Sequence, residues 1–233
     1  MATELIQRIH KGLIVSCQAY PGDPMYGSDV MAKMAVAAEK GGAAGIRANG
    51  IDDIEAIRHV TDLPIIGIIK QQYSNSDIYI TPTKKEVEKL LATDIDIIAL
   101  DATSRTRPGN ENLDELIMFI KGNSDKLVMA DVSNIEEALA AEALGVDLVG
   151  PTLAGYTSYT EDIDEPDWAL IQEMVKKLTV PVIAEGKISS PDDAGKALQL
   201  GCHSVVVGTA ITRPEVITMK FVNKMKEDSH VKI

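Results

Sequence analysis

Short apolar segments alternate with helix-like segments along the whole chain, and this repeat constrains the fold more than any other feature. The apolar segments are rich in Ile, Val and Leu, and they lack the alternating polar residues of a strand with one wet face. The eight strand candidates are Gly12–Ala19, Ala44–Ala48, Pro64–Lys70, Ile95–Ala102, Lys126–Val132, Asp147–Thr152, Pro181–Glu185 and Ser204–Gly208. Such strands are covered on both faces, so the pattern predicts a parallel sheet surrounded by helices.

Helix start and stop signals lie between the strand candidates. Capping residues open four of the helical segments, at Ser28, Thr83, Ser133 or Asn134, and Ser190 followed by Pro191. The first of these segments ends at the Gly41-Gly42 pair, and two others end at Gly145 and Gly201. Eight strand–helix units in 233 residues fit a closed (β/α)8 TIM barrel better than an open sheet. We expect a single α/β domain over residues 1–233.

The net charge of −12 argues against nucleic acid and anionic membranes as partners. No apolar run approaches the roughly 20 residues of a membrane span, and the amino-terminal residues lack the apolar core of a signal peptide. Cys17 and Cys202 lie in or beside apolar segments and have no paired spacing, which is typical of thiols in a reducing compartment. A cytoplasmic protein is expected. An anionic substrate would need a local cluster of donors.

Six strand candidates end in polar or charged side chains, and this pattern carries most of the functional information. The residues are Gln18, Arg47, Lys70, Asp101, Asp131 and Glu185. The carboxyl ends of barrel strands meet at one rim, where active sites are built. Two long loops, Tyr20–Gly27 and Gly155–Asp167, should lie at the same rim, and a long loop there is typical of a lid or binding loop.

Lys70 follows the apolar segment PIIGII, so its amine should emerge from the barrel interior. This position suits a general base or a Schiff-base lysine. An ion pair with Asp131 or Glu185 is the structural alternative. Those carboxylates could also act as a second acid/base group or bind sugar hydroxyls. Arg47 offers a planar fork for substrate oxygens.

Gln18 could bind an amide or hydroxyl, and Asp101 could equally cap its own loop. A phosphate signal is spread over the last two strands: Gly186 follows strand 7, and Gly208 and Thr209 follow strand 8, with Arg213 a few residues further on. Barrels often hold phosphate on backbone N–H groups at these places. Ordinary turn glycines are the alternative. No metal or nucleotide site is predicted, because His10, His59, His203 and His230 are scattered in the sequence and no nucleotide-binding glycine motif follows a strand.

The chain resembles the N-acetylmannosamine-6-phosphate 2-epimerases of bacterial sialic acid catabolism over nearly its whole length. The resemblance rests on seven ordered segments: Leu13–Ala19 (LIVSCQA), Gly45–Gly50 (GIRANG), Pro64–Lys70 (PIIGIIK), Met129–Ser133 (MADVS), Gly155–Thr157 (GYT), Ala184–Ile188 (AEGKI) and Val207–Pro214 (VGTAITRP). It implies a cofactor-free interconversion of N-acetylmannosamine 6-phosphate and N-acetylglucosamine 6-phosphate, in which the C2 proton is removed and returned on the other face. It also implies a homodimer.

The resemblance further implies residue roles. Lys70 would be the acid/base and Glu185 would work beside it, while Arg47, Asp131 and Gln18 would bind and orient the substrate. Gly186, Gly208, Thr209 and Arg213 would hold its phosphate. One-base, two-base and substrate-assisted routes all remain open. The rival interpretations are a Schiff-base lyase, a phosphosugar isomerase of the histidine or tryptophan pathways, and a barrel that serves only as a sugar-phosphate sensor.

Overall fold

The computed structural model describes residues 2–160 and 163–229, and its sheet contains eight parallel strands. They are β1 Leu13–Cys17, β2 Gly45–Asn49, β3 Ile65–Ile68, β4 Ile97–Asp101, β5 Leu127–Asp131, β6 Leu148–Gly150, β7 Ile183–Ala184 and β8 Ser204–Val207. All eight lie where the apolar segments predicted strands. Most are shorter than predicted because their last residues already turn into loops, whereas β2 runs one residue further, to Asn49.

The helices alternate with these strands. They are α1 Ala2–Ile9, α2 Ser28–Lys40, α3 Ile51–Arg58, α4 Lys84–Leu91, α5 Leu113–Asn123, α6 Ile135–Ala143, α7 Trp168–Lys177, α8 Pro191–Gln199, α9 Thr209–Thr212 and α10 Pro214–Ser229, with a short 3₁₀ turn at Pro108–Asn110. Within the ranges that the structure describes, none of them is both long enough and apolar enough to cross a membrane.

The strands close into a barrel. Their order is β6-β5-β4-β3-β2-β1-β8-β7, and all of the pairs are parallel. The two end strands meet at a parallel bridge between Val149 and Val182, where the Val149 N–H donates to Pro181 O at 3.1 Å. The (β/α)8 barrel predicted from the repeat is therefore confirmed.

Alternate residues of the strands fill the barrel. One buried cluster contains Ile14, Ile66, Ile68, Ile97, Leu127, Met129, Leu148, Ile183 and Val206, which share the inward-facing period of two. Ile9 of α1 belongs to the same cluster, so this helix closes the amino end of the barrel. A larger cluster packs the outward-facing residues against the helices. Because the interior is filled from that end, the carboxyl rim is left for a site.

Three of the predicted helix caps are confirmed and one is wrong. Thr83 and Ser190 form capping boxes with Glu86 and Asp193, and the Asn134 side chain accepts from the Glu137 N–H. Ser28 is not a cap. Gly27, with a φ of 137°, occupies the cap position, and the Ser28 hydroxyl donates to Asp53 Oδ1 at 2.7 Å instead. A φ in this range favours glycine, so the chain turns one residue earlier than the serine suggests.

Candidate active site

The inward-facing period of two continues past the apolar layer and places the polar strand ends in the next layer. Lys70 follows Ile66 and Ile68, and Asp131 follows Leu127 and Met129 at the same spacing. Gln18, Arg47, Asp101 and Glu185 also stand at inward-facing positions of their strands or directly beyond them. The six side chains therefore rise from six strands into one layer at the carboxyl rim.

Arg47 is the centre of this layer. Its guanidinium donates to both Asp131 oxygens, at 3.1 and 2.6 Å, and to Glu185 Oε2 at 2.8 Å. Arg47 is 1% exposed and Asp131 is fully buried. Burial alone would lower the Arg47 pKa, but the two carboxylates outweigh it and raise the pKa above its ordinary value. The guanidinium is therefore permanently charged, and it is held across the barrel by carboxylates at the ends of β5 and β7.

Glu185 has an unusual protonation equilibrium for a carboxylic acid. Burial raises its pKa to about 7, and the Asp131 charge acts in the same direction, while Arg47 and Lys70 oppose the shift. A group with such a pKa gains and loses a proton near neutral pH, as a general acid/base must. The carboxyl lies at the wall of the cavity, so that proton can be exchanged with a bound molecule.

Lys70 stands two residues beyond the end of β3 and is half-buried. Its backbone N–H donates to Asn49 Oδ1 at 2.8 Å, and its Nζ donates to the Tyr20 hydroxyl at 2.7 Å. Among the residues that the structure describes, no carboxylate pairs with Lys70 within 4.0 Å. The amine is therefore held by a tyrosine hydroxyl at the cavity wall, and the ion-paired alternative does not describe this geometry.

Gln18 shows an unmet hydrogen-bonding need. Its Nε2 donates to Ser16 Oγ at 2.7 Å, but its Oε1 is buried and has no partner within the described parts of the chain. The Arg47 Nε is in the same state. Buried polar atoms without partners are uncommon in folded proteins. Because Gln18 lines the cavity, an N–H or O–H of a bound molecule could satisfy its oxygen.

The segments after β7 and β8 form the other side of the cavity. Gly186 has a φ of 104°, and a Cβ there would lie 3.2 Å from Pro151 O, so this position requires glycine. Gly208, Thr209 and Arg213 also line the cavity. The Arg213 guanidinium contacts Asp23 Oδ1 at 3.3 Å and Glu215 Oε1 at 2.8 Å. Two glycine-containing segments and a guanidinium thus line the same cavity as Lys70.

The cavity has a volume of about 640 Å³ and opens at the carboxyl rim. Within residues 2–160 and 163–229, its wall carries five cationic side chains, those of Arg47, Lys70, Lys187, Arg213 and Lys220, against the carboxylates of Asp164 and Glu185. The chain as a whole has a net charge of −12. Two of these cations already pair with carboxylates, Arg47 with Asp131 and Glu185 and Arg213 with Asp23 and Glu215. The cationic side chains at the wall still give an anionic ligand local partners within a negatively charged protein.

Asp131 and Asp101 do not line the cavity. Both Asp131 oxygens are occupied by Arg47, and Oδ1 also accepts from the Thr152 hydroxyl at 2.7 Å. Asp131 therefore fixes the orientation of Arg47 rather than facing the cavity itself. Asp101 caps its own loop: it accepts from the Thr103 N–H at 2.9 Å and from Arg105 Nη2 at 2.6 Å.

Three side chains near this layer were not among the sequence candidates. Thr152 lies two residues beyond the end of β6 and continues its inward-facing period of two, so the same spacing rule could have found it. In the sequence, Tyr20 is only the first residue of the long loop after β1. Tyr79 lies on an excursion after β3 that folds back through an antiparallel bridge between Lys70 and Ile80. Burial raises the pKa of Tyr79 to about 12, so its hydroxyl stays protonated. No local sequence motif predicts that Tyr79 reaches the site.

Possible metal ligands and the histidines can also be located in the structure. In the part of the chain that it describes, no group of three or more His, Cys, Asp and Glu side chains could hold a metal ion. His10 and His203, distant in the sequence, meet at the amino end of the barrel with their Nδ1 atoms 3.2 Å apart. His230 lies outside the described residues.

A closed (β/α)8 barrel with titratable side chains at its strand ends and a cavity at its carboxyl rim has the architecture of a barrel enzyme. The family model described as "Putative N-acetylmannosamine-6-phosphate epimerase" matches residues 31–227. The chain belongs to this family of carbohydrate isomerases, which confirms the family suggested by its sequence.

Relatives extend the match to nearly the full chain. A protein of Clostridioides difficile (strain 630), named "Putative N-acetylmannosamine-6-phosphate 2-epimerase", is 54% identical over 222 residues, which cover 95% of this chain and 99% of that protein. A protein of the same name from Clostridium perfringens (strain SM101 / Type A) is 51% identical over 222 residues, covering 95% of this chain and 100% of the relative.

A solved structure is also similar to this chain. The structure of the N-acetylmannosamine-6-phosphate 2-epimerase from Clostridium perfringens has 50% sequence identity with it, and the match covers 94% of this chain and 95% of that chain with a TM-score of 0.92.

Proposed function

We propose that this protein interconverts N-acetylmannosamine 6-phosphate and N-acetylglucosamine 6-phosphate by removing and returning the proton at C2. The relatives at about half identity bear the name of this activity. The observation that carries the proposal is the meeting of two proton-transfer groups, the Lys70 amine and the Glu185 carboxyl with its pKa of about 7, at one cavity beside a permanently charged guanidinium.

The chemistry begins with the open-chain aldehyde, in which the C2 hydrogen is α to a carbonyl. Acting as the base, the Lys70 amine takes this proton. The C–H electron pair forms the C1–C2 double bond, and the carbonyl π electrons move to O1. Cationic donors stabilise the resulting enolate oxygen, and Arg47 and protonated Lys70 are candidates for this. Return of a proton to the opposite face of C2, with Glu185 as the partner acid/base, completes the epimerisation.

The remaining contacts fit the two ends of such a substrate. Gln18 presents its unpaired buried oxygen, which suits the N–H of an acetamido group or a hydroxyl. The segments after β7 and β8 line the cavity and suit the phosphate, through Gly186, Gly208, Thr209 and Arg213. Asp131 would bind substrate only indirectly, by holding Arg47. The cavity is also of the size usual for small-molecule sites.

Incubation with N-acetylmannosamine 6-phosphate in D₂O, followed by proton NMR at C2, tests the proposal. We expect N-acetylglucosamine 6-phosphate to form with deuterium at C2. Borohydride in a parallel sample should trap no substrate–lysine adduct. Trapping would favour the Schiff-base lyase, and the absence of both conversion and exchange would favour a sensor.

The homodimer and the cytoplasmic location implied earlier stay predictions. Light scattering of the purified protein tests the first, and fractionation of the host cell tests the second.

A further inference from the structure

The loop after β1 contains a tight turn that contacts the catalytic amine. Residues 20–23 have Pro21 at the second position and Gly22 at the third with a φ of 97°, as in a type II turn. The Asp23 N–H donates to Tyr20 O at 2.9 Å, and the Tyr20 N–H donates to Asp23 Oδ2 at 2.9 Å. This reciprocal pair makes Tyr20 and Asp23 one rigid unit.

The two ends of this unit reach different parts of the cavity. The Tyr20 hydroxyl accepts from Lys70 Nζ at 2.7 Å. The other Asp23 oxygen, Oδ1, pairs with Arg213 Nη2 at 3.3 Å. The turn therefore connects the group that transfers the proton with the arginine on the phosphate side.

We propose that Tyr20 and Asp23 are positioning residues of the epimerase: Tyr20 orients the Lys70 amine, and Asp23 anchors the Tyr20 turn while competing with the substrate phosphate for Arg213. This inference rests on the proposed function. Lys70 has a long flexible side chain, and within the described residues its amine has no carboxylate partner, so the tyrosine hydroxyl is what fixes its direction. Restricting a reacting group to one orientation raises kcat rather than substrate affinity.

A second carboxylate on Arg213 provides an internal control. Glu215 pairs with Arg213 Nε at 2.8 Å, but it does not line the cavity and has no bond to the turn. Glu215 therefore shares with Asp23 the competition for Arg213 and lacks the connection to Lys70. Tyr26 is a matched control for Tyr20, because it lies in the same loop, is 58% exposed and does not line the cavity.

Steady-state kinetics of five variants, with thermal unfolding of each, tests the proposal. Tyr20→Phe should lower kcat about 10-fold with KM unchanged, and Tyr26→Phe should match the wild type. Asp23→Ala should lower kcat by a similar factor while lowering KM about 2- to 5-fold, because Arg213 is freed from a partly exposed ion pair. Asp23→Asn keeps an oxygen for the Tyr20 N–H, so it should restore kcat and retain the lower KM. Glu215→Gln should lower KM alone.

The pattern separates positioning from stability, since a merely structural loss would raise KM and lower kcat together. A wild-type kcat in Tyr20→Phe, or equal kcat values in Asp23→Ala and Asp23→Asn, would overturn the proposal. If instead the wild-type protein does not convert the substrate, the proposed function fails and these variants are not the cause.

Discussion

Asp101 and Asp131 stand side by side at the ends of β4 and β5, paired in register, and their surroundings differ in one respect. Each is fully buried and each binds an arginine at 2.6 Å. The arginine of Asp101 follows four residues later in its own loop. The arginine of Asp131 comes from β2, 84 residues earlier in the chain, and also binds Glu185. The first cluster is closed locally, whereas the second is assembled only when the barrel closes.

This difference teaches how to interpret a polar residue at a strand end. A carboxylate whose partners are its chain neighbours stabilises its own loop. A carboxylate that orients a group from a distant strand makes the site geometry depend on the whole fold. We therefore assign Asp101 to loop stability and Asp131 to the active site.

The largest expected effect is that of Lys70→Ala. Removal of the proposed acid/base should lower kcat by about 10³-fold or more, at the upper part of the range for proton-transfer groups. Stability should change little because the side chain is half-buried and forms no ion pair with the described carboxylates. Stopped assays and thermal unfolding check both points, and substantial activity in a folded variant would remove the role assigned to Lys70.

Glu185→Gln should come next, with a loss of about 10²-fold in kcat. Its stability relative to the wild type should also depend on pH. The folded-state pKa of about 7 lies above the ordinary 4.5, so the folded protein holds this proton more tightly than the unfolded chain does. The stabilising contribution is complete below about pH 4.5 and is lost as the pH rises through 7.

Urea unfolding of both proteins between pH 4.5 and 8 measures this dependence. The wild type should lose stability relative to Glu185→Gln by up to about 1.4 kcal/mol per pH unit in the lower part of that window. A difference that does not change with pH would show that Glu185 ionises normally.

Asp131→Asn should cost stability as well as activity. It leaves the buried Arg47 guanidinium with one carboxylate instead of two, and breaking a buried pair costs about 3 to 5 kcal/mol. Denaturant unfolding gives the free-energy change. A variant as stable as the wild type would mean that Arg47 finds another partner.

Asp101→Asn should have the smallest effect. Arg105 is 12% exposed and can turn towards water, so the cost should be about 1 to 3 kcal/mol, as for an unsatisfied hydrogen-bonding group. Turnover should stay within a few-fold of the wild type. A loss of kcat as large as that of Asp131→Asn would place Asp101 in the active site and contradict the different roles assigned to the two aspartates.

The strands, most helix ends and the polar residues at the rim could be predicted from the sequence, because each depends on residues that are neighbours in the chain. Apolar runs such as PIIGIIK predict strands, and glycine and capping residues predict helix ends. A polar residue directly after an apolar run indicates the carboxyl rim of the barrel. The roles of Asp101 and Asp131 could not be separated in this way, since the distinction depends on which distant arginine each one meets. Tyr79 reaches the cavity only because the segment after β3 folds back, and Tyr20 contacts Lys70 across 50 residues. Such contacts have no signature in spacing.

The most direct test compares the exchange of the C2 hydrogen for deuterium in Asp131→Asn and Asp101→Asn, by proton NMR in D₂O under conditions where both variants are folded. We expect the exchange rate to fall by about 10²-fold or more in Asp131→Asn, because the Arg47 guanidinium beside Glu185 is no longer held by Asp131. Asp101→Asn should exchange at nearly the wild-type rate. Equal exchange rates in the two variants would contradict this expectation.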